Sequence, residues 1–210
     1  MEDPRSPYDL PVPPPTTRRS LVGRPEATSH AAIEQAAFAL FAERGFDGTT
    51  LDDIAASVGV SRRTLFRYYR SKNDIPWGQF ARTLDSFRQI LRELPQEQPV
   101  AEVVQQGMLA FNEFDEDADP PHRERMRLLL ETPALQAHSV LRYAEWRAVI
   151  AEYVAERRGL APTDAVPETV SQVCLALALS AYVLWLREPG PTLDERLRQA
   201  LSDLRAYLGE

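Results

Sequence analysis

Cysteine, lysine and histidine are nearly missing from this 210-residue chain: one, one and three. The single thiol, Cys174, sits in an apolar run and has no partner for an internal disulfide, so a reducing cytoplasm is the expected compartment. His30, His122 and His138 lack metal-ligand spacing with cysteine or carboxylates, and no metal or other cofactor is expected. No nucleophile elbow, P-loop or dinucleotide glycine fingerprint occurs, so no catalytic residue is nominated and an enzyme is not expected. The most apolar run, Val173–Leu186, is only fourteen residues, which suits a buried helix rather than a bilayer crossing. The N-terminus is acidic and proline-rich, unlike a signal peptide. Strand alternation and internal repeats are also missing, which leaves an all-α fold.

What is present concentrates between Thr49 and Lys72. Thr49 or Thr50 can cap a short helix, with Asp52 and Asp53 in its first turn favouring the positive dipole end. Leu51, Ile54, Ala55 and Val58 give that helix one apolar face over Leu51–Ser57. Gly59 supplies the left-handed stop, Val60 the corner, and Ser61 caps a second helix predicted over Arg62–Tyr69. Leu65 and Tyr69 face inward, leaving Arg62, Arg63, Thr64, Phe66, Arg67 and Tyr68 outward. From Ser61 to Lys72 the charged residues are Arg62, Arg63, Arg67, Arg70 and Lys72, with no acid among them, inside a chain of net charge −7. Residues 18–75 hold nine basic and seven acidic side chains, so the body beyond them is strongly acidic. Such a cluster reads as a DNA-binding helix-turn-helix: arginine matches guanine O6 and N7 bidentately, and both cations bind phosphate. The plainer reading is a solvated charged face.

Gly45-Phe46-x2-Thr49-Thr50, Ile54-Ala55, Gly59-Val60-Ser61, Thr64-Leu65-Phe66 and Tyr68-Tyr69-x2-Lys72 closely resemble the TetR-type one-component regulators. The resemblance covers about residues 25–75; beyond them only helix number and length agree. It implies an all-α homodimer, usually a repressor, released from its operator by a small ligand in a larger C-terminal domain. It also implies a phosphate contact at Lys72. Thr49, Thr50, Arg67 and Lys72 are then expected on phosphates, and Arg62, Arg63, Thr64 and Tyr68 on bases and nearby backbone. Phe66 departs from the family's usual tyrosine, losing a hydroxyl contact while keeping stacking or methyl contact. Arg63 stands where glycine is frequent. The stretch Lys72-Asn73-Asp74-Ile75-Pro76-Trp77-Gly78 is similar to regulators associated with mycofactocin biosynthesis clusters, which implies acyl-CoA thioesters as the ligand class.

Along the chain, residues 1–20 read as a disordered or polyproline arm, 21–71 as the helix-turn-helix domain, and 72–210 as a ligand-binding and dimerisation domain. Arg18, Arg19 and Arg24 either reach an adjacent groove or belong to a solvated tail. About nine helices are expected. The first spans Ser29–Arg44 and stops at Gly45. A fourth runs from Lys72–Asp74 to Leu94, with Asn73 or Asp74 capping it or a kink near Pro76. The others span Val100–Asp117, His122–Leu130, Pro133–Arg158, Glu168–Arg187 and Leu193–Leu208, the last opened by a Thr192–Glu195 capping box.

The last two helices should pair with their copies in a homodimer through Leu179, Tyr182, Val183 and Leu186, with Leu197, Leu201 and Leu204 opposite. Trp77, Phe80, Leu84, Phe87, Met108 and Phe111 are candidate walls of a ligand cavity, joined by Met126, Leu130, Tyr143, Trp146, Val173 and Leu177. Such stripes are also what a core requires. Arg82, Arg88, Arg123, Arg127 and Arg142 either meet an anionic head group or pair with Asp85, Glu124, Glu131 and Glu145. The reading is a cytoplasmic repressor with double-stranded operator DNA and a small hydrophobic effector, such as an acyl-CoA, as partners, and no membrane. Pressure of the effector on Trp77 and Phe80 would swing the helix that bridges the domains. The alternatives are an activator or a regulator without ligand, and more remotely an enzyme or binding module for an anionic substrate.

Overall fold

Ser29 opens the first helix by accepting the Ala32 amide at 3.2 Å. The computed structural model describes residues 28–115 and 117–209; the arm over 1–20, with Arg18, Arg19 and Arg24, lies outside them. Among the described residues there are nine α-helices and one 3₁₀ helix, and no strand.

Helix α1, His30–Gly48, buries the stripe Ile33, Ala37, Leu40 and Phe41. It breaks at Gly45, whose φ of 75° is left-handed. Phe46 then folds back to lie 5.0 Å from the Phe41 ring. A reciprocal Thr50–Asp53 capping box starts α2, Leu51–Ser57. Gly59, at φ 69°, turns the corner as expected. Helix α3 is Arg62–Leu65, shorter than the expected Arg62–Tyr69. Beyond Leu65 the backbone tightens: the Arg67 amide bonds to the Thr64 carbonyl and that of Tyr68 to Leu65, three residues back rather than four. Leu65 and Tyr69 remain buried.

The bridge between domains takes the kinked form. Residues Lys72–Trp77 make a 3₁₀ helix capped by Ser71 and Asp74, not by Asn73. Pro76 has no amide to donate, and Gly78 (φ 58°, ψ −141°) interrupts the path before α4, Phe80–Glu93. Helix α5, Val100–Phe111, crosses close to α4, because a Cβ on Gly107 would strike Leu91. It stops short of the expected Asp117 where the Asn112 side-chain amide caps the Met108 carbonyl at 2.7 Å. Phe114 therefore leaves the helical stripe and stacks on His122, ring centroids 4.2 Å apart.

Helices α6 (His122–Glu131), α7 (Pro133–Arg158), α8 (Ala165–Arg187) and α9 (Leu193–Leu208) follow, the last with its capping box. By length and composition α8 is apolar enough to cross a membrane, with mean hydropathy 1.8. Here it packs against α7 and α9 and buries Ser171, Cys174, Ala178, Ala181, Tyr182 and Trp185. Two cores result. One joins α4, α5, α7, α8 and α9. The other fills the three N-terminal helices and is completed by Ile75, Leu129 and Leu135, from beyond the expected boundary at 71/72.

Candidate nucleic-acid interface and the cavity behind it

Ser61 sets the pitch of the first turn of α3 by accepting the Thr64 amide at 3.1 Å, and its hydroxyl meets that of Thr64 at 2.9 Å. Arg63, Arg67 and Arg70 are exposed and make no ion pair among the described residues. Arg62 is exposed too, but it pairs with Asp52 of α2 at 3.1 Å and lies over the Phe66 ring. Phe66, though Arg62 lies over its ring, is 44% exposed. Thr50 is exposed, its backbone and hydroxyl both engaged with Asp53; those hydrogen bonds hold the Asp53 carboxyl below its ordinary range.

Three expected contact residues point elsewhere. Thr49 is buried, its hydroxyl donating to the Gly45 carbonyl at 2.9 Å, so it ties off the broken end of α1 instead of meeting phosphate. Lys72 turns inward as well. Its Nζ donates to the carbonyls of Phe46 (2.6 Å) and Thr49 (2.8 Å) and sits 4.3 Å from the Phe46 ring centre. The under-satisfied carbonyls after Gly45, of which Phe46 already accepts the Thr49 amide at 3.3 Å, attract the only ammonium side chain in the sequence. Tyr68 is half-buried, and its hydroxyl donates to the Thr28 carbonyl at 2.8 Å.

Behind this surface lies a cavity of about 430 Å³. Of the twelve expected wall residues, Trp77, Phe80, Phe111, Met126, Tyr143 and Trp146 line it. Leu84, Phe87 and Met108 are packed in the core instead, Phe87 being stacked on Trp146 and tilted against Phe111. Leu130 packs against the same core, while Val173 and Leu177 line a separate groove with Leu201 and Leu204 of α9. Two expected dimer residues, Leu179 and Tyr182, are cavity walls. Leu197 is buried within the protomer, because α9 turns that side onto the core. Val183, Leu186, Leu201 and Leu204 stay half-buried.

Polar groups that the sequence did not single out complete the cavity: Asn112, His122, Arg125 and Glu34. The Asn112 amide nitrogen is spent on Met108, so its oxygen accepts the Tyr182 hydroxyl at 2.7 Å. With that proton committed, His122 Nε2, 3.0 Å away, must donate to the Tyr182 oxygen, which leaves Nδ1 as the bare acceptor. Burial, and then the charge of Arg125, push the His122 imidazole down to about 4, so it is neutral. Burial also raises the phenols of Tyr182 and Tyr143.

Two ion-pair junctions flank the cavity. Arg125 of α6 binds Glu34 of α1 at 2.6 Å and the Pro76 carbonyl at 2.8 Å, and Glu34 in turn accepts the Tyr69 hydroxyl at 2.6 Å. Both charges are mostly covered, at 19% and 12% side-chain exposure. Asp74 holds Arg142 (2.8 Å) and His138 (2.9 Å) of α7; burial raises its carboxyl, but bonds from Ser71, Arg142 and His138 outweigh this and leave it lowered. The five arginines weighed as anion contacts are engaged otherwise: Arg123 with the Trp185 carbonyl, Arg82 with Gln79, Arg88 with Asp85 and Glu152, Arg127 with Glu131, and Arg142 with Asp74 and Glu145.

Comparison with known proteins bears on both regions. Residues 33–75 match the bacterial regulatory proteins of the tetR family, and residues 98–209 match the MftR C-terminal domain. The chain is 45% identical to a Mycobacterium tuberculosis protein named as a mycofactocin biosynthesis transcriptional regulator, MftR, over 90% of this chain and 96% of that one. A shorter match, 49% over 39 residues (19% of this chain, 21% of the relative), is to IcaR of Staphylococcus epidermidis, a negative transcriptional regulator of the biofilm operon. Among solved structures, Thermus thermophilus FadR in complex with lauroyl-CoA has TM-score 0.54 at 24% identity, covering 84% of this chain and 93% of that one. The triclosan complex of SmeT, a repressor from Stenotrophomonas maltophilia, has TM-score 0.59 at 22% identity, covering 85% and 90%. At those identities the two share the fold alone.

Proposed function

We propose, from the premise that this chain belongs to the TetR family of bacterial regulatory proteins and is a DNA-binding transcription regulator, not an enzyme, that it is an effector-released repressor. It binds a palindromic operator as a homodimer, two copies of α3 entering successive major grooves about 34–36 Å apart. Arg62, Arg63 and Thr64 lie at the N-terminal end of the recognition segment, where such motifs read base edges. Among the described residues of the recognition segment, Arg63, Arg67 and Arg70 make no ion pair, with Arg67 assigned to phosphate and Phe66 offering stacking or thymine-methyl contact. Binding first has to release Arg62 from Asp52, an exposed pair whose loss costs about 0–1 kcal/mol.

The observation that carries the reading is the shared wall: one apolar cavity is bounded by Glu34 of α1, by Pro76, Trp77 and Gly78 of the bridge, and by α4 to α8. Its volume lies within the range of small-molecule sites. A guest there touches the element that carries the recognition segment. The effector is a small, largely hydrophobic molecule, of which an acyl-CoA is the favoured class; the lauroyl-CoA held by the Thermus fold neighbour supports this. Dimerisation uses the remaining apolar face of α8 and α9, with Val183, Leu186, Leu201 and Leu204.

A footprint on the DNA upstream of the gene, repeated with fatty acyl-CoAs of increasing chain length, tests the reading. A protected palindrome lost on adding acyl-CoA is the expected result. A footprint that no effector disturbs leaves a ligand-independent regulator, and higher reporter expression with the protein than without it makes it an activator.

A further inference from the structure

Arg125 and Glu34 are both cavity wall and interdomain pair. Two hydrogen bonds, to Glu34 and to Pro76, use two of the guanidinium's five N–H donors. On the other side, Glu34 Oε1 takes the hydroxyl of Tyr69, the residue that closes the recognition segment. Gly78 leaves room for this arrangement: a Cβ there would come within 3.3 Å of both Glu34 oxygens. Tyr69 is buried, its ring set edge-on to His30 of α1 at 5.1 Å. A single carboxylate thus joins the cavity to the end of the DNA-reading turn.

We propose that an anionic group on the effector, a carboxylate or phosphate, takes Arg125 from Glu34, and that the stranded Glu34 then displaces Tyr69 and releases DNA. The inference rests on the effector-gated reading above and names its trigger. Arg125 loses nothing in the exchange, because its single bond to a Glu34 oxygen is replaced by one or two to the effector's anion. Glu34 loses the one cation that pairs with it among the described residues while still covered, and an uncompensated charge in that position drives rearrangement of its surroundings. Its nearest freedom is movement of α1 and of the Tyr69 turn. An uncharged guest fills the same cavity but leaves the pair closed, so it binds without releasing DNA.

Operator affinity of the full-length protein and three variants tests this. Arg125→Gln strands Glu34 permanently and should weaken operator binding about 10-fold or more without any effector, within the range of ordinary allosteric couplings. Glu34→Gln combined with Arg125→Gln removes the stranded charge and should restore affinity to within about threefold of the parent. Equal weakness of single and double variants overturns the proposal. If Arg125→Gln does not fold, judged by thermal unfolding, Glu34→Gln alone decides. It keeps an acceptor for Tyr69, and lauroyl-CoA should shift its operator affinity at least about 10-fold less than the parent's. Equal shifts in parent and Glu34→Gln overturn the exchange. Dodecanoate and lauroyl-CoA separate a carboxylate from a phosphate source, and dodecanol, expected to release nothing, is the uncharged control. Release by dodecanol equal to that by the anions overturns the trigger. If neither anion moves the parent's affinity, the effector-gated reading itself fails.

Discussion

The two functional regions are assembled in opposite ways. At the DNA-facing end, polar side chains that look like contacts are turned inward to finish the fold: Thr49 and Lys72 satisfy the carbonyls left by the break at Gly45. At the cavity, apolar side chains that look like walls have sunk into the core, while polar ones from α1, α5 and α6 come forward. A recognition surface must first close its own backbone accounts, and a pocket must first be held open by packed neighbours. In both, residue type alone does not separate the structural duty from the functional one.

The sharpest way to break this comparison is to attack a residue assigned to packing. Phe87→Ala should cost about 3–5 kcal/mol of stability in denaturant unfolding, as for a core aromatic. A loss under 1 kcal/mol would return Phe87 to the cavity wall. His122 gives the next effect. The fold holds it neutral down to about pH 4, whereas the unfolded chain takes up the proton near 6.5. Stability contributed by this site is therefore complete above about pH 6.5 and falls by about 3 kcal/mol as pH drops to 4. His122→Gln should remove that part of the acid slope, read from unfolding free energies at several pH values.

Lys72→Met should cost about 1–3 kcal/mol of stability by stranding the Thr49 carbonyl, while that of Phe46 keeps the Thr49 amide, with the salt dependence of operator binding unchanged. A shallower slope would give Lys72 back its phosphate. Arg63→Ala should weaken the cognate operator by about 1–3 kcal/mol and relax one base position. The smallest effect is Arg67→Ala: all sequences weakened alike, and the log–log salt slope shallower by about one.

Much of the fold was legible because it follows periodicity and capping chemistry. Pro133, Gly159, Thr192 and Glu195 mark ends that the structure keeps. What escaped depends on single side chains reaching the backbone. Asn112 ends α5 early, and Pro76 with Gly78 splits the expected fourth helix. The family could be read from short motifs, because the glycine corner and its caps are local. The cavity's polar members could not. Glu34 meets Arg125, and Asn112 meets Tyr182, only through contacts between residues far apart in sequence, and Arg125 looks like any other arginine on a charged helix. Tyr182 misled for a related reason: an aromatic on an apolar helix is equally at home against a partner or within the protomer.

Gly78 has a mechanical consequence. A straight rod between the halves of the molecule would deliver torque from one end to the other. With the helical path broken at Gly78, α4 and residues 72–77 do not form one continuous rod. On the proposed reading, coupling between the cavity and the recognition segment then runs sideways through cross-members such as Arg125–Glu34, and their number rather than the stiffness of a spine sets its gain.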